Sequence, residues 1–210
     1  MKKLKTLLFA STLLVGFSSV AMAQSSDNAT INANATVVQG MVVGDDTNNI
    51  EFNNLLQFTS KEINAADGAV DAKDGITGGE ERGWFDISIV AGTNVDLTLE
   101  VPSLLRNPDR AIDRFNQLFF SVGTSGSDDN DLNGMLTETK PTGTTEVTAI
   151  TNGAGTDFTF NDGTWTLDSA FEMPAGGTVY LALGGRVELI LQPVGSYTGT
   201  ITLTATVNDD

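Results

Sequence analysis

The sequence contains no cysteine and no histidine among its 210 residues. Without cysteine the chain has no disulfide framework, no zinc–thiolate site and no thiol nucleophile. Without histidine it also lacks the usual general base and the commonest metal ligand. Most hydrolytic mechanisms therefore lose a necessary part. The sequence predicts a protein that is not an enzyme, with no catalytic residues, no metal ligands and no cofactor.

Positive charge is also scarce, since 11 Lys and Arg stand against 27 Asp and Glu, which gives a formal net charge of -16. Nucleic acids and anionic lipid surfaces are polyanions, so an acidic protein of this kind repels them. After Gln24 no apolar run approaches the roughly 20 residues that a spanning helix needs. We therefore expect no nucleic-acid partner and no membrane insertion.

The first 23 residues have the pattern of a secretory signal peptide. Three lysines precede the apolar run Leu7–Val15, and the A-x-A cleavage pattern Ala21-Met22-Ala23 stands before Gln24. The apolar run is too short to span a bilayer as a helix. We expect residues 1–23 to be removed on export, so that 24–210 forms a single domain in the periplasm, at the cell surface or outside the cell.

Apolar and polar residues alternate along much of the chain, which predicts half-buried strands. The pattern is longest in Asn94–Val101 and Thr200–Val207. With the weaker patterns we count about nine strands and expect an all-β fold, an immunoglobulin-like antiparallel β-sandwich. The weaker patterns lie at Ile31–Val37, Phe52–Phe58, Trp84–Ile89, Phe119–Val122, Phe158–Phe160, Trp165–Leu167, Val179–Leu183 and Val187–Leu191.

Three pairs of these strands are predicted to form hairpins. Ala91-Gly92-Thr93 is short enough to join the strands on either side of it. Gly184-Gly185 gives the strongest turn signal, because two glycines supply the positive φ angles of a two-residue primed turn. Two short strands are also predicted around Asp162-Gly163.

One segment is predicted to be helical. Asn107 and Pro108 are typical of a helix start, and a stripe at helical spacing follows at Ala111, Ile112, Phe115 and Leu118. We interpret the range 102–143 as a loop and helix insertion in the sandwich. The ranges 65–82 and 123–143 are rich in Gly, Asp and Thr without periodicity, which predicts loops.

The acidic stretch Asp128–Gly134 resembles the first half of a calcium-binding EF-hand loop. Asp129, Asp131 and Asn133 stand at alternate positions before a glycine. The twelfth position from Asp129 is Lys140 instead of the required glutamate, although Glu138 is close enough to contribute. The favoured interpretation is a solvated loop, and a calcium site remains the alternative.

The other candidate residues have structural interpretations. Asp-Gly pairs at positions 67 and 74 favour turns. A glycosidase would need two carboxylates at a set separation, which a sequence alone does not give for Glu80 with Glu81 or Glu100 with Glu172. Trp84 and Trp165 would suit a sugar-stacking platform, but a tryptophan in a sandwich strand is more often part of the core.

Three stretches resemble a secreted bacterial family called domain of unknown function 4402. They are the opening strand Ala33–Gln39, the stretch Trp84–Leu99 and the closing stretch Val187–Leu203, which contains the G-x-Y-x-G-T element at Gly195–Thr200. The resemblance implies an immunoglobulin-like sandwich similar to spore-coat-U and fimbrial proteins. It also implies a structural or adhesive protein of the cell surface, such as a pilus-like subunit, and brings no catalytic residues.

Two functional hypotheses follow from this reading. An alternating segment such as Ile31–Val37 is suited to adding as a strand to a neighbour's sheet edge, although pairing within its own sheet is slightly favoured. The alternative is a secreted binding module in which the loops 67–79 and 128–143 grip a glycan or calcium. The expected partners are therefore further copies of the chain or other surface proteins, with a glycan or calcium as the alternative.

Overall fold

The structure, a computed structural model, describes residues 41–73, 75–108, 117–123, 131–150, 157–190, 192 and 195–208, together with the backbone of 26–30. This part of the chain is all-β, with fifteen strands and only antiparallel pairing. It contains no helix, and hence none long and apolar enough to cross a membrane.

The strands form three sheets. In chain order they are β1 Ser26–Thr30, β2 Val42–Val43, β3 Thr59–Ile63, β4 Val70–Ala72, β5 Gly83–Ser88, β6 Asn94–Glu100, β7 Leu104–Arg106, β8 Gln117–Ser121, β9 Gly134–Thr137, β10 Phe158–Asn161, β11 Thr164–Leu167, β12 Phe171–Glu172, β13 Thr178–Leu183, β14 Gly185–Leu189 and β15 Thr202–Asn208. The first sheet has the order β1-β15-β6-β11-β10 with β12 also paired to β6, the second has the order β2-β5-β13-β9, and the third has the order β4-β3-β14-β8-β7.

The longest predicted strands form the centre of the first sheet. β6 and β15 pair along their whole lengths, with Leu97 opposite Ala205 and Leu99 opposite Leu203. The apolar positions of both strands are buried, while the polar positions between them are partly or fully exposed. The period-two pattern is therefore confirmed here, because each strand buries one face only.

A single apolar core joins the three sheets in a sandwich-like arrangement. Leu97 from the first sheet, Phe85 from the second and Val187 from the third are each at most 1% exposed and belong to one contiguous cluster. Burial of alternate side chains from facing sheets is what stabilises such an arrangement.

The predicted hairpin at Gly184-Gly185 is wrong. β13 pairs with β5 and β9, whereas β14 pairs with β3 and β8, so the two strands never pair with each other. Neither glycine has a positive φ angle. The chain instead continues through Gly184 from the second sheet into the third. Glycine is needed at position 184 because the backbone there packs closely against the neighbouring strand, where a Cβ would overlap the Ile63 carbonyl oxygen.

The predicted hairpin around Ala91-Gly92-Thr93 is also wrong. β5 belongs to the second sheet and β6 to the first, so this connection crosses between sheets. The prediction around Asp162-Gly163 is confirmed, since β10 and β11 pair directly. Both turn residues have positive φ angles, 49° and 86°, as a primed two-residue turn requires.

Several predicted segments differ from the structure. The predicted helix falls mainly on 109–116, outside the described residues, and its last stripe position, Leu118, lies in β8. The supposed insertion 102–143 contributes β7, β8 and β9, and the predicted loop 65–82 contains β4. The predicted strand Phe52–Phe58 does not form. Its residues Asn54 and Phe58 adopt left-handed backbone angles, which interrupt an extended chain.

Candidate functional site

A cleft of about 580 Å³ lies against the third sheet. One side is built by β7, β8 and β14, and the other by the segments 49–57 and 195–201. The apolar lining comprises Ile50, Phe52, Leu55, Leu105, Leu118, Phe120, Val187, Leu189 and Ile201. The polar lining comprises Asn49, Glu51, Asn53, Asn54, Gln57, Gln192, Ser196, Tyr197 and Thr198.

The apolar side of the cleft is a continuation of the core. Val187 of β14 stands opposite Phe120 of β8, so both side chains lie on the same face of the third sheet. Phe52 meets Phe120 edge-to-face, with ring centroids 6.3 Å apart. Strand alternation therefore supplies a flat apolar surface with aromatic rings at its edge.

Amide side chains supply most of the polar lining, and several of their atoms have no partner among the described residues. Asn54 makes no side-chain hydrogen bond there, and the Asn49 Oδ1 atom is buried without a donor. Gln192 is 7% exposed and accepts the Ile190 N–H at 2.7 Å through Oε1, which leaves its Nε2 donor free. The cleft thus offers both donors and acceptors.

A buried ion pair fixes the position of segment 49–57. Lys61 stands opposite Val187 in the third sheet, so its side chain points to the face that lines the cleft. Its Nζ donates to the Asn53 carbonyl oxygen and to Glu80 Oε1, each at 2.6 Å. The two charged side chains are 0% and 1% exposed. Burial by itself raises the pKa of Glu80, but hydrogen bonds from Lys61 and the Gly78 N–H outweigh it and leave that pKa lowered.

Further hydrogen bonds hold the same segment at both ends. Glu51 and Glu81 exchange two backbone hydrogen bonds of 2.8 and 3.0 Å. The Gln57 Nε2 atom donates to the Gln192 carbonyl oxygen, which ties the segment to the chain beyond β14. The cleft wall is therefore preorganised, and a ligand does not have to order it.

A buried arginine ties together the loops beside the junction at Gly184. Arg82 is 1% exposed and donates to three carbonyl oxygens, those of Ala65 at 2.7 Å, Pro141 at 3.0 Å and Thr145. Burial lowers its pKa, opposed by the charge of Asp67. Arg82 thus connects Ala65, just before the predicted binding loop 67–79, to Pro141 in the other predicted binding loop, 128–143.

A group of charged residues covers the outer face of the second sheet. Asp86 is 6% exposed, and its Oδ1 accepts the Asp46 N–H at 2.7 Å. Asp46 in turn pairs with Lys140 at 2.5 Å. Burial, together with the nearby charges of Asp46 and Asp45, raises the pKa of Asp86 in spite of its hydrogen bonds. The hydrogen bond that Lys140 donates to the Asp46 carboxylate raises the pKa of Lys140.

Only part of the proposed calcium loop lies within the described residues. Positions 128–130 lie outside the described residues, so the loop as a whole is not seen. Asn133 is committed elsewhere, because its side chain accepts the Ala65 N–H at 2.9 Å and donates to the Ile63 carbonyl at 2.8 Å. Lys140 lies beside Asp46. In the part of the chain that the structure describes, no group of three or more potential ligands that could hold a metal ion occurs.

The candidate carboxylate pairs are likewise separated or engaged. Glu100 and Glu172 lie at opposite ends of β6, because Glu172 stands opposite Asn94. Six residues of strand put them about 20 Å apart, well beyond the separation that glycosidases use. Glu80 is bound to Lys61, while the Glu81 side chain accepts a hydrogen bond from Asn48 at 3.2 Å.

The remaining candidates have structural positions. Asp67 accepts the Ala69 N–H at 2.9 Å within a turn, as predicted, whereas Asp74 lies outside the described residues. Trp84 and Trp165 are 8% and 4% exposed and belong to different sheets, so they form no common platform. The prediction that both are buried is confirmed.

Sequence reasoning missed the cleft itself. Its only signal is the density of amides between Asn48 and Gln57, which includes two Asn-Asn pairs among apolar residues. The alternating pattern at Phe52–Phe58 instead predicts a strand in part of that stretch. Comparison of the chain with models of protein families, with curated proteins and with solved structures gave no significant match.

Proposed function

We propose that the chain is an exported, non-enzymatic protein of the bacterial cell surface that acts by adhesion, with the cleft on the third sheet as its binding site. The observation that carries this proposal is the cleft's construction, in which an apolar sheet face meets a rim of amides on a wall held by Lys61 and Glu80. Concave sites with few polar groups on an apolar lining are typical of ligand binding.

The sequence supports the remaining parts of the proposal. The signal-peptide pattern in residues 1–23 and the acidic composition suit a secreted protein. The resemblance to the secreted bacterial family and to fimbrial proteins favours an immunoglobulin-like sandwich at the cell surface. A rigid sandwich that presents a binding site at its edge is a common solution for recognition.

The test is to map binding by nuclear magnetic resonance on the mature chain, residues 24–210. Mixtures of oligosaccharides, short peptides and fatty acids are added to labelled protein. We expect one class to shift signals of segments 49–57 and 195–201, and the Ser196→Trp variant to lose that response. Ser196 is exposed, so the bulky side chain fills the cleft without disturbing the core. The adhesive site is excluded if no class moves these signals.

A second candidate function is a structural subunit joined by strand addition. The predicted donor segment Ile31–Val37 lies outside the described residues. Within the described part of the chain, β1 just before it is an edge strand of the first sheet and pairs only with β15, in the register Asn28 opposite Thr204. If residues 1–23 are removed, β1 lies close to the new N-terminus. Exchange of such a strand between copies keeps every pairing and joins the copies.

The absence of cysteine makes this candidate easy to test. Two single variants, Asn28→Cys and Thr204→Cys, are mixed unfolded, refolded together and oxidised. Strand exchange predicts covalent heterodimers, because directly opposed residues of antiparallel strands lie within disulfide reach. The double variant gives covalent chains under exchange, but a bridged monomer if β1 pairs with its own β15. Monomers alone would exclude the polymer and leave the cleft proposal untouched.

A further inference from the structure

We infer that the cleft takes an uncharged oligosaccharide. This inference rests on the proposed function, because it names the ligand class of the same site. Its three supports are the charge of the lining, the balance of donors and acceptors, and the apolar sheet face beneath them.

The charge of the lining selects against ions of either sign. Among the described residues the lining contains no lysine or arginine, and its only carboxylate there is the exposed Glu51. Lys61, whose side chain points to that sheet face, is 0% exposed and is paired with Glu80. An anionic ligand would therefore meet no accessible counter-charge from the described lining, in a protein of net charge -16. A single exposed carboxylate contributes little to holding a cation.

The amides match hydroxyl groups, each of which donates and accepts. The free Nε2 of Gln192 is a donor, the Oδ1 of Asn49 is an acceptor without a donor, and Asn54 offers both. A fatty acid or other purely apolar ligand would leave these groups without partners, at a cost of about 1–3 kcal/mol for each group that is buried. A ligand with several hydroxyls satisfies them.

The sheet face beneath the amides matches the C–H surface of a sugar ring. Phe120 and Leu189 are each 7% exposed, and the half-buried Phe52 packs against Phe120 with the two rings inclined at 75°. The electron-rich faces of aromatic rings attract the slightly positive hydrogens of such C–H groups. The volume of about 580 Å³ is within the range of small-ligand sites, so a short oligosaccharide is the fitting size.

The test uses titration calorimetry with cellotriose, maltotriose and triacetylchitotriose as neutral probes. Sialyllactose is the acidic probe, and myristate is the apolar one. We expect at least one neutral probe to bind and neither of the others to do so. Ser196→Trp should weaken binding at least about 10-fold by filling the cleft, whereas Thr166→Trp, exposed on the first sheet, should leave it unchanged.

A second pair of variants tests the amides. Asn54 has a left-handed φ angle of 53°, so Asn54→Gly removes its amide without backbone strain. We expect a roughly 2- to 10-fold loss of affinity, the value of one hydrogen bond. The matched control is Asp162→Gly, at φ 49° in the β10–β11 turn, which should bind normally.

The possible outcomes separate the two proposals. Neutral-sugar binding that Ser196→Trp abolishes supports both. Binding of myristate or sialyllactose instead, with the same sensitivity to Ser196→Trp, overturns the saccharide inference and keeps the adhesive cleft. Sugar binding that Ser196→Trp leaves intact also overturns the inference, because the site then lies elsewhere. If no class of compound shifts the signals of segments 49–57 and 195–201 in the nuclear magnetic resonance experiment, the proposed function itself is overturned.

Discussion

The second and third sheets share one continuous stretch of chain through Gly184, yet their surroundings differ sharply. In the second sheet the outer face is covered as well as the inner one, since Trp84, Asp86 and Thr137 are at most 8% exposed. In the third sheet the outer face is open, because Phe119 is 55% exposed and Glu188 opposite it is also exposed, and the inner face borders the cleft.

This difference shows how one fold separates stability from recognition. The covered half around the second sheet contributes buried area on both faces, which is the main stabilising term. In the open half around the third sheet, part of the apolar surface lines the cleft instead of packing against other core residues. Polar contacts such as the Lys61–Glu80 pair hold this half in place. The following four substitutions test that division, from the largest expected effect to the smallest.

Glu80→Gln should be the most damaging change, because it leaves Lys61 buried without its counter-ion. We expect a loss of about 3 kcal/mol or more in the free energy of unfolding at neutral pH, measured by urea denaturation. Because the folded-state pKa of Glu80 is lowered, its contribution is present at neutral pH and is lost as the pH falls through that pKa. The loss should therefore shrink in acid.

Two variants control for this effect. The exposed Glu188→Gln in the same sheet should change stability by less than about 0.5 kcal/mol. The double replacement Lys61→Met with Glu80→Leu should restore most of the lost stability, since an apolar pair needs no counter-ion. A double variant as unstable as Glu80→Gln would contradict the role given to the ion pair.

Gly184→Ala tests the junction between the two halves. The added Cβ would overlap the Ile63 carbonyl oxygen and the Asn133 side chain. We expect a loss of about 2–3 kcal/mol in thermal or urea unfolding, because backbone on the neighbouring strand cannot easily give way. Gly176→Ala, where nothing lies within 4 Å of the new atom, should be nearly neutral. Equal stability of the two variants would argue against close packing at the junction.

Asp86→Asn should have the opposite sign to Glu80→Gln. Asparagine keeps an acceptor for the Asp46 N–H but removes a buried charge that faces Asp45 and Asp46, with Lys140 beyond them. We expect a gain on the order of 1 kcal/mol at pH 7. Because the folded-state pKa of Asp86 is raised, the gain should vanish as the pH falls to the ordinary carboxyl range. A destabilised variant at neutral pH would refute this account.

Phe119→Thr should have the smallest effect on stability. The side chain projects from the open face of the third sheet and is 55% exposed, so we expect a change of less than about 0.5 kcal/mol in unfolding experiments. Leu136→Thr, at a 0% exposed position of the second sheet, is the matched contrast and should cost several times more. Similar losses of stability in Phe119→Thr and Leu136→Thr would contradict the distinction between the covered second sheet and the open third sheet.

The alternating strands were predictable because their signal is local. Val95, Leu97 and Leu99 are buried as the pattern indicates, and the turn at Asp162-Gly163 has the angles that its residues favour. The glycines at positions 184 and 185 misled the prediction, since glycine serves a turn and a close approach equally well. Only the neighbouring Ile63 and Asn133 distinguish the two uses.

The cleft was not predictable for a related reason. The two segments of one side, 49–57 and 195–201, are more than a hundred residues apart in the sequence. Lys61 resembles any surface lysine when only the sequence is considered. Its burial follows from its place opposite Val187 and from Glu80, which a separate loop brings within 2.6 Å. Such contacts depend on which strands pair and in which register. A period-two pattern shows which face of a strand is buried, but it does not show which strand is the partner.

The sequence by itself determined the all-β class, because the identity of every second residue sets which face of a strand is buried. It also determined the chemistry that the chain lacks, since no fold supplies a missing cysteine or histidine. The tertiary structure alone decided which strands pair, that the chain crosses between sheets at Gly184, and where the cleft lies. The physical reason is that strand pairing is made between distant segments, whose meeting no local pattern encodes.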